Sequence, residues 1–217
     1  MIYNIDFLIS AMVILLLILW YFLGQKRAED MNNRVFLFFA VLGTADVVAE
    51  FFSNYYITSY NSDMGTAAVI VTTIFYLLQA LLPVTFICYI QTLYEQKIIS
   101  AKKMFISSVP TLVLISVILT NPFTEKLFYF DVTAGYVKGP WYLLMYVSAL
   151  GHFAAALLLI LLWRKKLGHQ KVKILLEIFV ISGAGVVLQM FCQSLLMTGF
   201  GMSLGILALF ITINNPY

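Results

Sequence analysis

The chain has 217 residues, of which 62% are hydrophobic and only 11% charged, with a mean hydropathy of +0.96. A soluble domain carries roughly 45–50% apolar and about 25% charged residues, so this composition leaves too few polar groups to cover a water-facing surface. It excludes an ordinary soluble enzyme, a disordered tail, a collagen-like chain and a disulfide scaffold, and it points to an integral membrane protein. The net charge of +3 is too small to suggest a nucleic-acid partner.

A helical span takes about 20 apolar residues. Seven apolar runs follow one another, at 2–23, 35–58, 67–94, 104–120, 141–163, 174–196 and 199–213. They are continuous, whereas a transmembrane barrel would show alternation in blocks of about ten. Only helices or closed barrels satisfy the backbone in lipid. The expectation is an all-α membrane protein, one domain over 1–217 built as a seven-transmembrane helix bundle, with no separate aqueous catalytic domain.

The first run has no basic segment before it, and Lys26 and Arg27 come after it. That is the reverse of a secretory signal peptide, so this run is expected to stay as a span. The loops after the first, third and fifth runs hold Lys26, Arg27 and Arg34; Lys97, Lys102 and Lys103; and Arg164, Lys165, Lys166, Lys171 and Lys173. These are eleven of the thirteen basic residues, and the opposite loops hold only Lys126 and Lys138. By the positive-inside rule the amino terminus is expected outside and the carboxyl terminus in the cytoplasm. Cys88 and Cys192 fall in apolar runs near opposite faces. That separation exceeds the roughly 7 Å limit for a disulfide, so both are expected as buried free thiols.

Residues 121–140 form a long connector between the fourth and fifth runs. Its alternation around Leu127–Phe130 and Thr133–Tyr136 predicts a small hairpin turning at Ala134-Gly135. Such a segment either rests on the membrane surface or acts as a lid over an external cavity.

Reactive constellations are missing. His152 lies in the fifth run and His169 in a basic loop, so no metal site is expected, and neither a phosphate loop nor any other cofactor motif is present. A retinal-binding pump needs a lysine in its last span, and 199–217 has none. Gly201 and Gly205 form a G-x-x-x-G in the last run, a spacing that lets helices approach closely, and are read as helix-packing positions.

Polar residues inside the spans carry the functional signal. Asp46, Glu50 and Asn54 are spaced by four and share one helix face, with Asp46 near the middle of its span. Ionisable groups at that depth are costly and usually face a bundle interior or a wet cavity. No lysine or arginine lies inside any span. The two acids must therefore be compensated by a proton, a cation, a ligand or His152, or stand as structural groups bonded to neighbouring helices. The third run brings Thr72, Thr73, Tyr76 and Gln79 to similar depths, with Pro83 one turn on to kink it. The fifth contributes Trp141, Tyr142, Tyr146 and His152, and the sixth Gln189 and Gln193. Singly each has a structural reading, Trp141 and Tyr142 as interfacial aromatics for example. Together they predict a polar, aromatic-rimmed cavity between helices, open to the outside and fitted to an extracellular small molecule.

Several stretches resemble the seven-helix amino-terminal sensor domain of bacterial histidine kinases and diguanylate cyclases. The likeness is carried by Asn121-Pro122-Phe123, by Leu127–Asp131 (LFYFD), by Gly139–Tyr146 (GPWYLLMY), and by Ile213-Asn214-Asn215-Pro216-Tyr217, which is similar to the junction before a GGDEF domain. The resemblance implies a multi-pass receptor of the bacterial inner membrane with no enzymatic activity of its own. It would relay a signal through its last helix to a cytoplasmic kinase or cyclase domain in cis; such effectors commonly act as dimers, which would put Gly201 and Gly205 at a subunit contact. The family has no fixed ligand set, so the cavity residues rest on depth alone. The alternative is a small proton-coupled transporter using Asp46, Glu50 and His152, although no duplicated half is visible. An intramembrane lipid enzyme would need a nucleophile with its base or a second metal ligand, and neither is present.

Overall fold

In the computed structural model, residues 5–25, 30–60, 62–95, 101–192 and 196–214 are described, with only the backbone for 62, 101–107 and 190. The apolar runs become helices: α1 Asp6–Gly24, α2 Met31–Thr58, α3 Gly65–Glu95, α4 Ala101–Thr124, α5 Leu143–Leu162, the single turn α6 Arg164–Leu167, α7 His169–Phe191 and α8 Met197–Leu209. A short 3₁₀ turn, Ser62–Met64, precedes α3, and a π-helical turn, Phe210–Asn214, extends α8. Among the described residues six helices are long and apolar enough to cross a membrane, and α4 adds a shorter apolar stretch, Ser108–Thr124. This is an all-α, multi-pass membrane bundle.

The membrane-length stretches of the helices are apolar on most of their circumference, so packing more than polarity separates inside from outside. On α1 the buried positions are Leu8, Ala11, Leu15, Ile18 and Phe22, while Val13, Leu16, Leu17 and Trp20 are exposed. The buried set recurs every three or four residues, the stripe a helix presents to its neighbours; the exposed set suits lipid. At the start of α2 the Asp30 carboxylate accepts from the Asn33 N–H at 2.7 Å. This N-cap starts the helix four residues before the predicted span.

The main core joins α1, α2, α3, α5, α7 and α8. At its centre Phe36 packs on Phe22, Tyr89 and Phe210, with ring centroids 5.1, 6.3 and 6.2 Å away. Here a polar clasp holds the end of α8. The buried Tyr89 hydroxyl donates to Asn214 Oδ1 at 2.5 Å, and Asn214 Nδ2 donates to Asn33 Oδ1 at 3.2 Å. At the same end Trp163 stacks on Tyr94 at 4.1 Å, with the Lys166 ammonium 4.1 Å from the Tyr94 ring on its other contact. This is the basic end of the bundle.

The opposite end carries the hairpin expected within 121–140. Strands β1 Phe128–Asp131 and β2 Gly135–Lys138 pair antiparallel, Phe128 opposite Lys138 and Asp131 opposite Gly135. The Asp131 carboxylate turns the loop by accepting from the Thr133 N–H and the Ala134 N–H, both at 2.8 Å. Gly135 takes φ 70°, a left-handed conformation that costs glycine little. The base is closed by Gly139 N–H to Leu127 O and Trp141 N–H to Lys126 O, each 2.8 Å. A Cβ on Gly139 would lie 2.2 Å from Lys126 O, so the chain can cross itself here only at a glycine.

Further helix ends depart from the sequence reading. Helix α4 does not stop before Asn121-Pro122 but runs on to Thr124, where Glu125 turns left-handed at φ 54°. The Asn121 side chain, 1% exposed, then docks the hairpin by accepting from the Leu127 N–H at 2.7 Å and donating to Phe128 O at 2.9 Å. Helix α5 starts at Leu143 because Trp141 is held in the hairpin base. Helix α7 spans His169–Phe191 instead of 174–196, taking its first turns from the basic loop. Cys192 therefore lies past the helix end and is exposed, not buried as expected; it and half-buried Cys88 are free thiols.

Gly201 and Gly205 pack as helix–helix contacts, but within the chain. A Cβ on Gly201 would stand 3.3 Å from Ile181 O, and one on Gly205 2.9 Å from Ile178 Cγ2, so α7 covers both. Their backbones seat α8 on α7 within the chain.

Candidate functional site

The helices α2, α3, α5, α7 and α8, with Leu114 of α4, enclose a cavity of about 190 Å³. Of the residues singled out from the sequence, Asp46, Gln79, Tyr142, Tyr146, His152, Gln189 and Gly205 stand in its wall. Most of the remaining wall is apolar or aromatic, with Phe39, Phe86, Phe153, Phe179, Met145 and Met202, and no lysine or arginine among the lining residues.

Asp46 is 3% exposed, and its Oδ1 has no hydrogen-bond donor among the described residues. A buried polar atom left without a partner costs about 1–3 kcal/mol. His152 gives it no help, because both ring nitrogens are engaged elsewhere. Nδ1 lies 2.7 Å from the Ser148 carbonyl, which can only accept, so Nδ1 bears the hydrogen. Nε2 lies 2.8 Å from the Thr111 hydroxyl, which thereby ties α4 to α5. Gln189 is half committed as well: its Oε1 accepts from the Thr198 N–H at 2.8 Å, filling a donor left open at the start of α8. One turn after Gln79, Pro83 has no N–H to offer the Gln79 carbonyl, and both residues line the cavity.

The other sequence candidates lie elsewhere. Glu50 is buried against α8, where a Cβ on Gly199 would meet its Oε2 at 2.9 Å. Asn54 turns back on its own helix and donates to Glu50 O at 2.8 Å, and Thr73 does the same to Val69 O at 2.7 Å. Tyr76 faces the hairpin, its hydroxyl 2.5 Å from that of Tyr136. Trp141 is 45% exposed with the Lys126 ammonium 4.4 Å from its ring, outside the cavity wall. Gln193 and the junction Asn215-Pro216-Tyr217 lie outside the described residues.

The i, i+4 spacing explains why the acidic ladder splits. At 3.6 residues per turn each step of four rotates about 40°, so Asp46 and Asn54 differ by about 80° around the axis. The aromatic and methionine wall was missed because in a lipid-solvated chain such residues carry no sign of whether they face the interior or the bilayer. Among the described residues no group of His, Cys, Asp and Glu is arranged to hold a metal ion. No protein-family model, curated protein or solved structure matches the chain.

Proposed function

We propose that this chain is a membrane receptor domain that binds an extracellular small molecule in the Asp46 cavity and relays its occupancy through α8. The observation that carries this is the composition of the cavity wall. One buried carboxyl oxygen without a donor stands among aromatic side chains, and α8 itself supplies Thr198, Gly199, Met202, Gly205 and Ile206. A ligand in contact with both α2 and α8 binds differently to two arrangements of these helices and so shifts their balance. The same helix ends in the Asn214 clasp on α2 and α3, which would feel that shift.

The charge distribution supports seven spans with the hairpin end outside and the basic end in the cytoplasm. With the likeness of the Asn121-Pro122-Phe123 and GPWYLLMY stretches, it supports a sensor of the bacterial inner membrane followed by a histidine kinase or diguanylate cyclase domain. A homodimer of this chain would form without Gly201 and Gly205. In the transporter alternative His152 would carry its proton while bonded to Thr111 and Ser148.

The test is a thermal-unfolding screen of the purified chain in detergent micelles against amines, sugars, amino acids and carboxylates. Binding stabilises the folded state by about 2.7 kcal/mol at a hundredfold excess over Kd. A hit should also change amide exchange at 210–214. Uptake of the same compound into proteoliposomes, driven by a proton gradient, would replace the receptor by a transporter.

A further inference from the structure

The ligand of this cavity is narrowed by what the wall offers and what it lacks. Among the described residues Asp46 is the one acidic residue in the wall, and no cationic side chain stands there to balance it. Its Oδ1 is buried without a donor, and the one imidazole in the wall spends its Nδ1–H on the Ser148 carbonyl. The same wall holds four phenylalanines, Phe39, Phe86, Phe153 and Phe179, with Tyr142 and Tyr146. An aromatic ring attracts a cation over its face and gives an anion no such stabilisation. The volume of about 190 Å³ lies below the 300–1,000 Å³ typical of drug-sized pockets.

From this we infer that the cavity selects a small organic cation, a primary ammonium on a compact apolar or aromatic body, with Asp46 as its counter-ion on α2 and the phenylalanines as its enclosure. The ammonium supplies the positive charge that the wall lacks and an N–H donor for the carboxyl, and its body fills the apolar space between α5, α7 and α8. An anionic ligand would meet the Asp46 carboxylate with no cation to offset it. A polyhydroxylated ligand would set hydroxyls against aromatic and methionine side chains that offer them no partner. The inference rests on the receptor reading of the cavity and sharpens it to one ligand class.

The experiment uses three probes of one shape at pH 7: phenethylamine, which is protonated, neutral 2-phenylethanol and anionic phenylacetate. Each is titrated into the full purified chain in micelles, with thermal unfolding and calorimetry as readouts. The amine should bind at least about tenfold more tightly than the alcohol, and the acid should not bind. In Asp46→Asn, which keeps the shape of the side chain, the amine should fall to the affinity of the alcohol. Ala149→Phe, which fills the cavity from α5 and leaves the carboxyl in place, should abolish binding of both.

Equal binding of amine and alcohol, or an unchanged amine affinity in Asp46→Asn, overturns the cation assignment. If Ala149→Phe still removes the binding in those cases, the cavity reading stands without its ligand class. Binding that survives Ala149→Phe, or none by any of the three probes or by the wider screen, overturns both.

Discussion

The clasp at the end of α8 gives the sharpest energetic test, because it joins three helices through a few atoms. Tyr89 is fully buried, and its hydroxyl donates to Asn214 Oδ1 at 2.5 Å; Asn214 is 6% exposed. Tyr89→Phe leaves the ring in its place against Phe36 but removes the hydroxyl that donates to the buried Asn214 oxygen, at about 1–3 kcal/mol. Asn214→Leu strands the hydroxyl in turn, with a similar cost. The double variant leaves neither group unpaired at this contact, so its cost should fall short of the sum of the two singles. The coupling should be about 1–2 kcal/mol, inside the 0.5–3 kcal/mol range of directly contacting pairs. Reversible unfolding in mixed micelles, followed by tryptophan fluorescence, would measure all four corners of the cycle. Additivity to within about 0.5 kcal/mol would show that the clasp contributes no specific energy, and the relay through Asn214 would fall with it.

Three further outcomes are expected. Asn121→Ala removes the acceptor for the Leu127 N–H and the donor to Phe128 O. It should cost about 2 kcal/mol or more and speed tryptic cleavage at Lys126 and Lys138; cleavage at the wild-type rate would contradict the docking role. Gly201→Val drives side-chain atoms into the α7 backbone, which stands 3.3 Å from a Cβ at that position. It should destabilise by about 1–3 kcal/mol with the oligomeric state unchanged in light scattering, whereas a change of oligomeric state would return the glycine to a subunit contact. The Asp131 carboxyl is held below its ordinary value, first by the Thr133 hydroxyl and then by the Ala134 and Thr133 amides. A depressed folded value means that the turn is fully supported above the ordinary carboxylate range and loosens only as pH falls through the lowered value, below about pH 4. The Thr133 and Ala134 amide resonances should report that midpoint, and a midpoint at or above the ordinary aspartate value would contradict the hydrogen bonding.

Much of the helical framework was legible because the bilayer requires it: a chain must hide its amides over about 20 residues, and hydropathy counts that length. Helix ends were less legible, since they are set by single interactions. Asp30 starts α2 through its side chain. Asn121 would ordinarily resist α-helix as the residue before a proline, yet α4 continues because its side chain is occupied with the hairpin. In α7 the basic residues Lys171 and Lys173 hid the first turns from a hydropathy reading. Lys173 sits 3.8 Å from Glu177 one turn on, an exposed i, i+4 pair that helix geometry accommodates. The hairpin was visible in its alternation, whereas its attachment by Asn121 and Gly139 was not, because both contacts join residues that only the turn brings together.

For the cavity, depth was readable and rotation was not. Polar residues at mid-span could be placed along the axis by counting, and Asp46, Gln79, His152 and Gln189 share one wall as that count required. Whether a side chain at the right depth turns inward, along its own helix or toward the hairpin depends on partners that hydropathy does not show. Asn54 and Thr73 take backbone carbonyls four residues back, the cheapest acceptors for a short polar side chain in a helix. Tyr76 reaches a tyrosine sixty residues away in sequence. Asp46 found no such local solution. A carboxyl cannot donate to an i−4 carbonyl as asparagine or threonine does unless it is protonated, and the nearby imidazole is already committed to Thr111 and Ser148. Ser53 and Thr72 satisfy each other across α2 and α3 at 3.0 Å, so the same pair of helices can pair its polar groups where they are structural. That Asp46 Oδ1 stays without a donor among the described residues, beside a cavity and about two turns from such solutions, is the reason to assign its partner to something outside the chain.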